Sequence, residues 1–370
     1  MTHVFADAQG VGQPADSSAE KQKKYMQEMN QITPSAEPAV TRCADPFLTA
    51  DFIWWRAQEE GLQYAFNGLS NANPGIAGNP GAPYKQADKG STKRPDFDYE
   101  PGFKVGFGLK FRHDGWDAYA QYTWWRNEKN DTKSSVHRDS DNDSYVMGDI
   151  FCPSSIFAQG FFSGGVGQNG LIAFDTQSAE AKWSLHFNVL DLELGRNFWI
   201  SKWLTLRPFV GMKFSWLDQD FDVEYEKIFA TPNFQTKVLF DLDQFGVGLR
   251  AGLDSTWYMW KNWAVFGELA FTGLWNDFDS KRKDLFSNGS NPFQTILNLH
   301  DSNHLVSVVL EWALGLRFET AFHHDDFMFM LQAGWEQQVW FNQNQFILMP
   351  TASSANLNFE GLTLKAGFYF

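Results

Sequence analysis

Long apolar runs are missing from this chain. No window of about 18 residues is apolar throughout and free of charge, and a membrane-spanning helix needs about 20 such residues, so that class is excluded. Cysteine is scarce as well: Cys43 and Cys152 are the two present in 370 residues, too few for a disulfide scaffold. Positive charge is in short supply, with 30 Lys and Arg against 44 Asp and Glu and a net charge of -14. That balance argues against nucleic acid as a partner and against attraction to anionic lipid through bulk electrostatics.

Charge of either sign makes up 20% of the chain, yet aromatic residues reach 17%, with 36 Phe and 16 Trp, and mean hydropathy is -0.38. A soluble domain buries its aromatics in one core beneath a more highly charged surface. Rings spread along the whole chain point to a second apolar solvent. Lipid cannot satisfy backbone N–H and C=O groups, so only helices and edgeless sheets cross it. With the helix excluded, a closed β-barrel is the remaining solution. The length allows one or two domains.

The opening residues Thr2 to Ala8 read like the end of a signal peptide, with small residues around a cleavage point. Residues 1–42 are polar, and Ser18 to Met29 is expected to form a short capped helix ahead of Pro34 and Pro38, within a periplasmic lead. Residues 43–370 are assigned to the barrel.

From Phe47 onward the hydrophobic period is two, which is the strand signature. In Leu305 to Thr320, Val306, Val308, Leu310, Trp312, Leu314, Leu316 and Phe318 share one face, against Ser307, Glu311, Ala313, Gly315, Arg317 and Glu319 on the other. Phe103, Val105, Phe107 and Leu109 alternate in the same way with Lys104, Gly106, Gly108 and Lys110, as Leu206, Val210, Met212, Phe214 and Trp216 do with Arg207, Gly211 and Lys213. About ten such segments give an all-β, antiparallel, up-and-down transmembrane barrel, with twelve or more strands as the alternative if residues 130–178 hide a hairpin. Two segments change phase midway, near Val189–Leu190 and between Leu242 and Phe245. Either a bulge shifts the register there, or the outer half rises above the membrane, since about 9 to 11 tilted residues suffice to cross it.

Connections alternate between short and long. Short turns fall at 113–115, 201–202, 260–262 and 323–325; long ones fall near 68–98, 130–178, 226–236, 278–303 and 342–356. The short set is expected in the periplasm and the long set outside the cell. On that topology Cys43 and Cys152 lie on opposite sides, beyond the roughly 7 Å Cα separation a disulfide needs, and each is free or paired between molecules.

The last strand ends Leu362-Thr363-Leu364-Lys365-Ala366-Gly367-Phe368-Tyr369-Phe370. Leu362, Leu364, Phe368 and Phe370 fall at alternate positions back from a terminal aromatic, the pattern expected of a strand handed to the barrel-assembly machinery by strand addition. Water-facing charges of both signs lie within the crossing segments, and these are the expected pore-lining set: Lys104, Arg207, Lys213, Arg250, Asp254, Glu268, Glu311, Arg317, Glu319, Glu336 and Lys365, with Asp191 and Glu193 beside them. The competing reading is a salt-bridged, sealed interior, because a ten-stranded barrel is narrow. Trp116, Trp124, Trp203, Trp216, Trp263 and Trp275 flank apolar stretches, as girdle residues do at membrane interfaces.

Other clusters carry less. The acidic runs Asp139–Asp143 and Asp218–Asp222 match no EF-hand spacing and read as solvated loops. His300-Asp301-Ser302-Asn303-His304 sits where a barrel hydrolase keeps catalytic groups, but nearness in sequence supplies no geometry. His323-His324-Asp325-Asp326 reads as a polar turn. No catalytic residue, metal ligand or cofactor is assigned.

The segment Cys43-Ala-Asp-Pro-Phe-Leu-Thr-Ala-Asp51-Phe-Ile-Trp54-Trp55-Arg56-Ala-Gln-Glu59-Glu60-Gly61-Leu62-Gln-Tyr64-Ala-Phe66 resembles the first strand of the major outer membrane protein-like porins of chlamydia-related bacteria and Legionella. The order of strand, Trp-Trp-Arg, acidic pair and Gly-Leu-x-Tyr-Ala carries that likeness. The resemblance implies a Gram-negative outer-membrane porin and surface antigen; the low cysteine content departs from a disulfide-crosslinked envelope network.

Three functions follow as expectations: a channel for passive diffusion of small hydrophilic solutes and ions, a structural or adhesive surface barrel with a closed lumen, and an outer-membrane hydrolase, the last disfavoured. Expected partners are outer-membrane lipid and lipopolysaccharide and the assembly machinery, with homo-oligomerisation left open.

Overall fold

In the computed structural model, residues 44–67, 91–111, 115–127, 131–135, 146–148, 175–176, 178–227, 234–260, 262–287, 289–322, 327–347 and 355–370 are described. Ten antiparallel strands close on themselves: β1 Ala44–Glu59, β2 Tyr99–Phe111, β3 Trp116–Asn127, β4 Ser178–Arg196, β5 Leu204–Lys227, β6 Phe234–Tyr258, β7 Trp263–Ser287, β8 Gln294–Phe322, β9 Phe327–Asn344 and β10 Ala355–Tyr369. Each pairs with the next, and β1 pairs with β10 from Phe47↔Tyr369 to Glu59↔Leu357, which removes both edges. The expected helix of the N-terminal lead, both cysteines, Asp139–Asp143 and residues 323–326 lie outside the described residues.

Two sequence expectations need correction. The connection expected at 278–303 is wall: β7 and β8 pair continuously through Asp279↔Ser302 and Lys281↔His300 almost to their tips. Likewise Asp218, Asp220 and Asp222 lie on β5, opposite Asp243, Asp241 and Leu239, rather than in a loop. The twelve-stranded alternative also falls away. Val146–Gly148 and Asp175–Thr176 do pair with each other, but in a separate four-stranded sheet with Ala65–Asn67 and Ser91–Lys93.

No bulge lies behind the phase changes. The β4–β5 ladder runs unbroken from Ser178↔Glu226 to Gly195↔Phe209, and the β5–β6 ladder is equally regular. What changes is the solvent. In the lower part of β4, Leu192 and Leu194 face out and are well exposed, while Asp191 is buried inside; in the upper part Trp183, Leu185, Phe187 and Val189 are buried inside and polar Lys182, Ser184 and His186 alternate with them. Inside the bilayer the outer face must be apolar and the interior is free to be polar. Above the bilayer the outer face meets water, and an apolar interior holds the wall together as in a soluble barrel.

The outer boundary of the membrane band is marked by exposed Trp216, Phe245 and Trp275 on β5, β6 and β7. The inner boundary carries exposed Trp116, Trp203, Trp257, Trp260 and Trp263 next to the short turns. Strands β5 to β8 have 24, 25, 25 and 29 residues, against 13 and 12 in β2 and β3. Since about 9 to 11 residues cross the membrane, β5–β8 form a tall wall projecting beyond it.

Candidate functional site: the barrel lumen

All eleven charged residues expected to line the lumen do face it, around a cavity of about 210 Å³. The cavity reaches from Phe187 and Gln338 down to Lys110, Gly115, Asn197 and Met328 beside the short turns. Alternation is what places them there: Lys365 faces in because Leu364 and Ala366 pair with outward Phe52 and Ala50.

These charges pair with one another across the interior. Lys104 on β2 meets Glu336 on β9 at 2.7 Å, reaching over β1 and β10. Lys213 holds Asp191 at 2.7 Å and Glu311 at 3.0 Å, and Arg250 holds Glu311 at 2.6 Å and Glu193 at 3.4 Å. Nearer the periplasm, Arg207 bridges Asp117 at 2.6 Å, Asp254 at 2.7 Å and Glu193 at 3.1 Å. Arg317 donates to Gln332 at 3.0 Å, and Gln332 passes a hydrogen bond on to Glu268 at 3.0 Å. Arg317 also lies 3.5 Å from Glu319, and Lys365 lies 4.0 Å from Asp51. Buried charges persist only when paired and hydrogen-bonded, and this set meets that condition largely from its own members.

Sequence reasoning missed Asp51, Asp117, Tyr119 and Gln121 as members of this network. Tyr119 and Thr49 share a hydrogen bond of 2.7 Å, and the Gln121 amide donates to Asp51 at 3.2 Å. The signal was present, because Asp51 sits between Thr49 and Ile53 on the face opposite Phe52 and Trp54.

Above the charged layer the lumen is filled. Phe187 on β4 and Trp340 on β9, five strands apart either way round a ring of ten and so diametrically opposed, have ring centroids 5.4 Å apart and meet edge to face. Phe187 also lies 4.4 Å from Phe359 on β10, which in turn touches Trp125 at 5.5 Å and Trp55 at 5.9 Å. All five rings are essentially inaccessible to solvent. Further out Phe346, beyond the end of β9, packs on Phe221 at 6.1 Å and Phe240 at 5.7 Å, and the fully buried pair Arg282–Asp284 ties down the same segment, with Arg282 donating to the Ile347 carbonyl at 3.1 Å.

The exterior wall above the girdle is acidic. Asp218 faces Asp243, which faces Asp279; Asp220 faces Asp241. Partial burial, and then the facing Asp243, hold Asp218 above the ordinary aspartate range. Asp279 is held below that range by its 3.0 Å contact with His300. His300 and His304 thus face acids on β7, Asp279 and Asp277, on the outside of the wall. No cluster with metal-ligating geometry occurs among the described residues.

A family model described as Legionella pneumophila major outer membrane protein precursor matches residues 42–370. The chain belongs to that family. It is therefore an outer-membrane β-barrel protein of the major outer membrane protein type, and the likeness first seen in Cys43 to Phe66 extends over the whole barrel. No match was found among curated protein sequences. Among solved structures, the outer membrane protease OmpT of Escherichia coli is similar at 8% identity and TM-score 0.34, over 88% of this chain and 96% of that one. The Pseudomonas putida toluene transporter TodX is similar at 11% identity and TM-score 0.30, over 90% and 92%, and Ail of Yersinia pestis at 10% identity and TM-score 0.24, over 89% and 100%.

Proposed function

We propose that this family member works as a surface and envelope barrel whose lumen is closed, presenting its projecting wall to the exterior. The observation that carries this reading is the contact of Phe187 with Trp340 across the full diameter of the ring. The residues that close the lumen sit mainly on the wall strands themselves, so no loop movement removes them, and a barrel of this strand number is narrow enough for large side chains to fill. On this reading the ion pairs below the aromatic layer are structural, and the outward Leu362, Leu364, Phe368 and Phe370 serve recognition by the assembly machinery before β1 and β10 meet. Lipopolysaccharide is the expected neighbour of the projecting wall.

Passive diffusion of small solutes is the second reading, and the charged cavity of the lower half favours it. The two are separated in planar bilayers. The native chain is expected to give no discrete conductance steps, and Phe187→Ala with Trp340→Ala is expected to introduce them. Discrete steps from the native chain would replace the closed barrel with a porin.

A further inference from the structure

Among the described residues, the tallest strand is unpaired along part of one edge. β8 pairs with β7 from Trp263↔Phe318 to Phe286↔Gln294, slipping only beside Asp284–Leu285, but with β9 only from Phe322↔Phe327 to Val309↔Trp340. The cause is local. Asn342 takes a φ of 56°, in the left-handed region that Asn tolerates, and β9 leaves the wall. Its continuation crosses the mouth instead, where the Asn344 amide donates to the Glu60 carbonyl at 2.8 Å and Phe346 enters the core. Among the described residues, Gln294 to Val308 therefore has no strand on its β9 side.

Exposed edges are normally defended by lysine, proline or a bulge that twists them away. From Gln294 to Val308 there is no lysine, arginine or proline, and Asp301 is the sole formal charge. The two faces beside this edge differ in chemistry. Leu297, Leu299 and Leu305 lie half-buried on the inner face, in register with buried Asp284, Arg282 and Asn276, with exposed Asp301 and Asn303 between Leu299 and Leu305. On the outer face His300 and His304 stand beside Asp279 and Asp277, and Asp243, Asp241, Asp218 and Asp220 extend the surface over β6 and β5; Lys281 lies 3.3–3.6 Å from Asp241, Asp243 and Asp279, and the carboxylates outnumber it.

We propose that the upper edge of β8 accepts, by strand addition, an extended segment of a partner protein in which apolar residues alternate with lysine or arginine. The edge supplies the backbone hydrogen bonds, which are independent of sequence, and the alternation of side chains supplies selectivity. The apolar set covers Leu297, Leu299 and Leu305. The basic set stands two strand spacings, roughly 10 Å, from the carboxylates of β7, a gap that a long basic side chain spans. This inference does not depend on whether the lumen conducts.

The test uses the full chain in lipid nanodiscs and a fluorescent ten-residue peptide of alternating valine and lysine. Saturable binding is expected, weakened at least tenfold when the backbone amides on one edge of the peptide are N-methylated, and lost when glutamate replaces lysine. Asp243→Asn with Asp279→Asn should weaken it several-fold, and a photo-crosslinker on the peptide should label residues 294–308. Equal binding of the N-methylated peptide would reduce the interaction to charge adsorption and overturn the proposal. Absent binding, labelling elsewhere, binding gained only after removal of residues 348–354, or a chain dimer crosslinked through β8 would each overturn it as well. The peptide arms decide the matter even where a protein variant fails to fold.

Discussion

Truncating Phe187 and Trp340, singly and together, tests whether the two walls of the barrel touch. Both rings are fully shielded from solvent, Phe187 contacting Trp340 at 5.4 Å and Phe359 at 4.4 Å. Phe→Ala or Trp→Ala at a buried site costs about 3–5 kcal/mol. Phe187→Ala should fall toward the upper end, because it removes two ring contacts from a layer anchored on opposite strands that cannot collapse inward to refill the space. The pair itself contributes about 0.5–1.5 kcal/mol beyond its buried area, so the double variant should be less destabilised than the sum of the singles by that amount. Residues on opposite walls of an open lumen would share no contact, and their effects would add to within about 0.5 kcal/mol. The assay is reversible unfolding by denaturant in lipid vesicles, followed by tryptophan fluorescence for Phe187→Ala and by electrophoretic mobility for all variants. Additivity within that margin refutes the cross-lumen contact and, with it, the closed barrel.

Other perturbations follow from the same geometry. Lys104→Met leaves Glu336 buried without its ammonium partner and should cost about 3–5 kcal/mol, whereas Lys104→Met with Glu336→Leu should recover most of that loss in the same unfolding assay. Gly211→Ala places a Cβ against the Leu192 backbone carbonyl, which cannot move without breaking the β4–β5 ladder; the expected outcome is a marked fall in folded yield, measured by heat-modifiable mobility, while Gly273→Ala, whose Cβ would meet nothing within 4 Å, should leave yield unchanged. His300→Ala removes the contact that holds Asp279 below the ordinary aspartate range, so the Asp279 carboxyl should titrate at higher pH in the variant, as read by carboxylate NMR. Because that pKa is depressed in the folded chain, the contact stabilises above the ordinary aspartate value and its contribution disappears as pH falls through the folded one; a variant and native chain with matching Asp279 titrations would discard this pairing.

The crossing strands were legible because lipid imposes a strict rule on them. Phe103, Val105 and Phe107 face outward and Lys104 inward for the same reason that Val306 to Phe318 opposes Ser307 to Glu319, and the charges so placed all reach the lumen. Above the membrane that rule ends, and reading became ambiguous where it ended. The run Trp183, Leu185, Phe187, Val189 followed by Leu190, Leu192, Leu194 fits a bulge or a change of solvent equally well on spacing alone. The stretch around 278–303 looked like a loop because water on the outside of a projecting wall permits Asp279, Lys281 and Asn298 in a strand.

Closure of the lumen was harder to read, since it depends on the distance between strands far apart in sequence: 153 positions separate Phe187 from Trp340. A partial signal was nevertheless available in β1. Trp54 and Trp55 are adjacent, so one must face lipid and the other the interior, and the structure shows Trp54 half exposed and Trp55 buried. A porin wall needs apolar side chains on one face only, with a wet interior on the other. Where Ile53 and Trp55 in β1, Trp125 in β3 and Phe187 in β4 add apolar bulk to the face opposite the lipid, the interior at that height has no water to meet. Inward apolar bulk along the upper strands is thus the sequence mark of a filled barrel, and it predicts where the filling begins: at the level where inward Asp191 gives way to inward Val189 and Phe187.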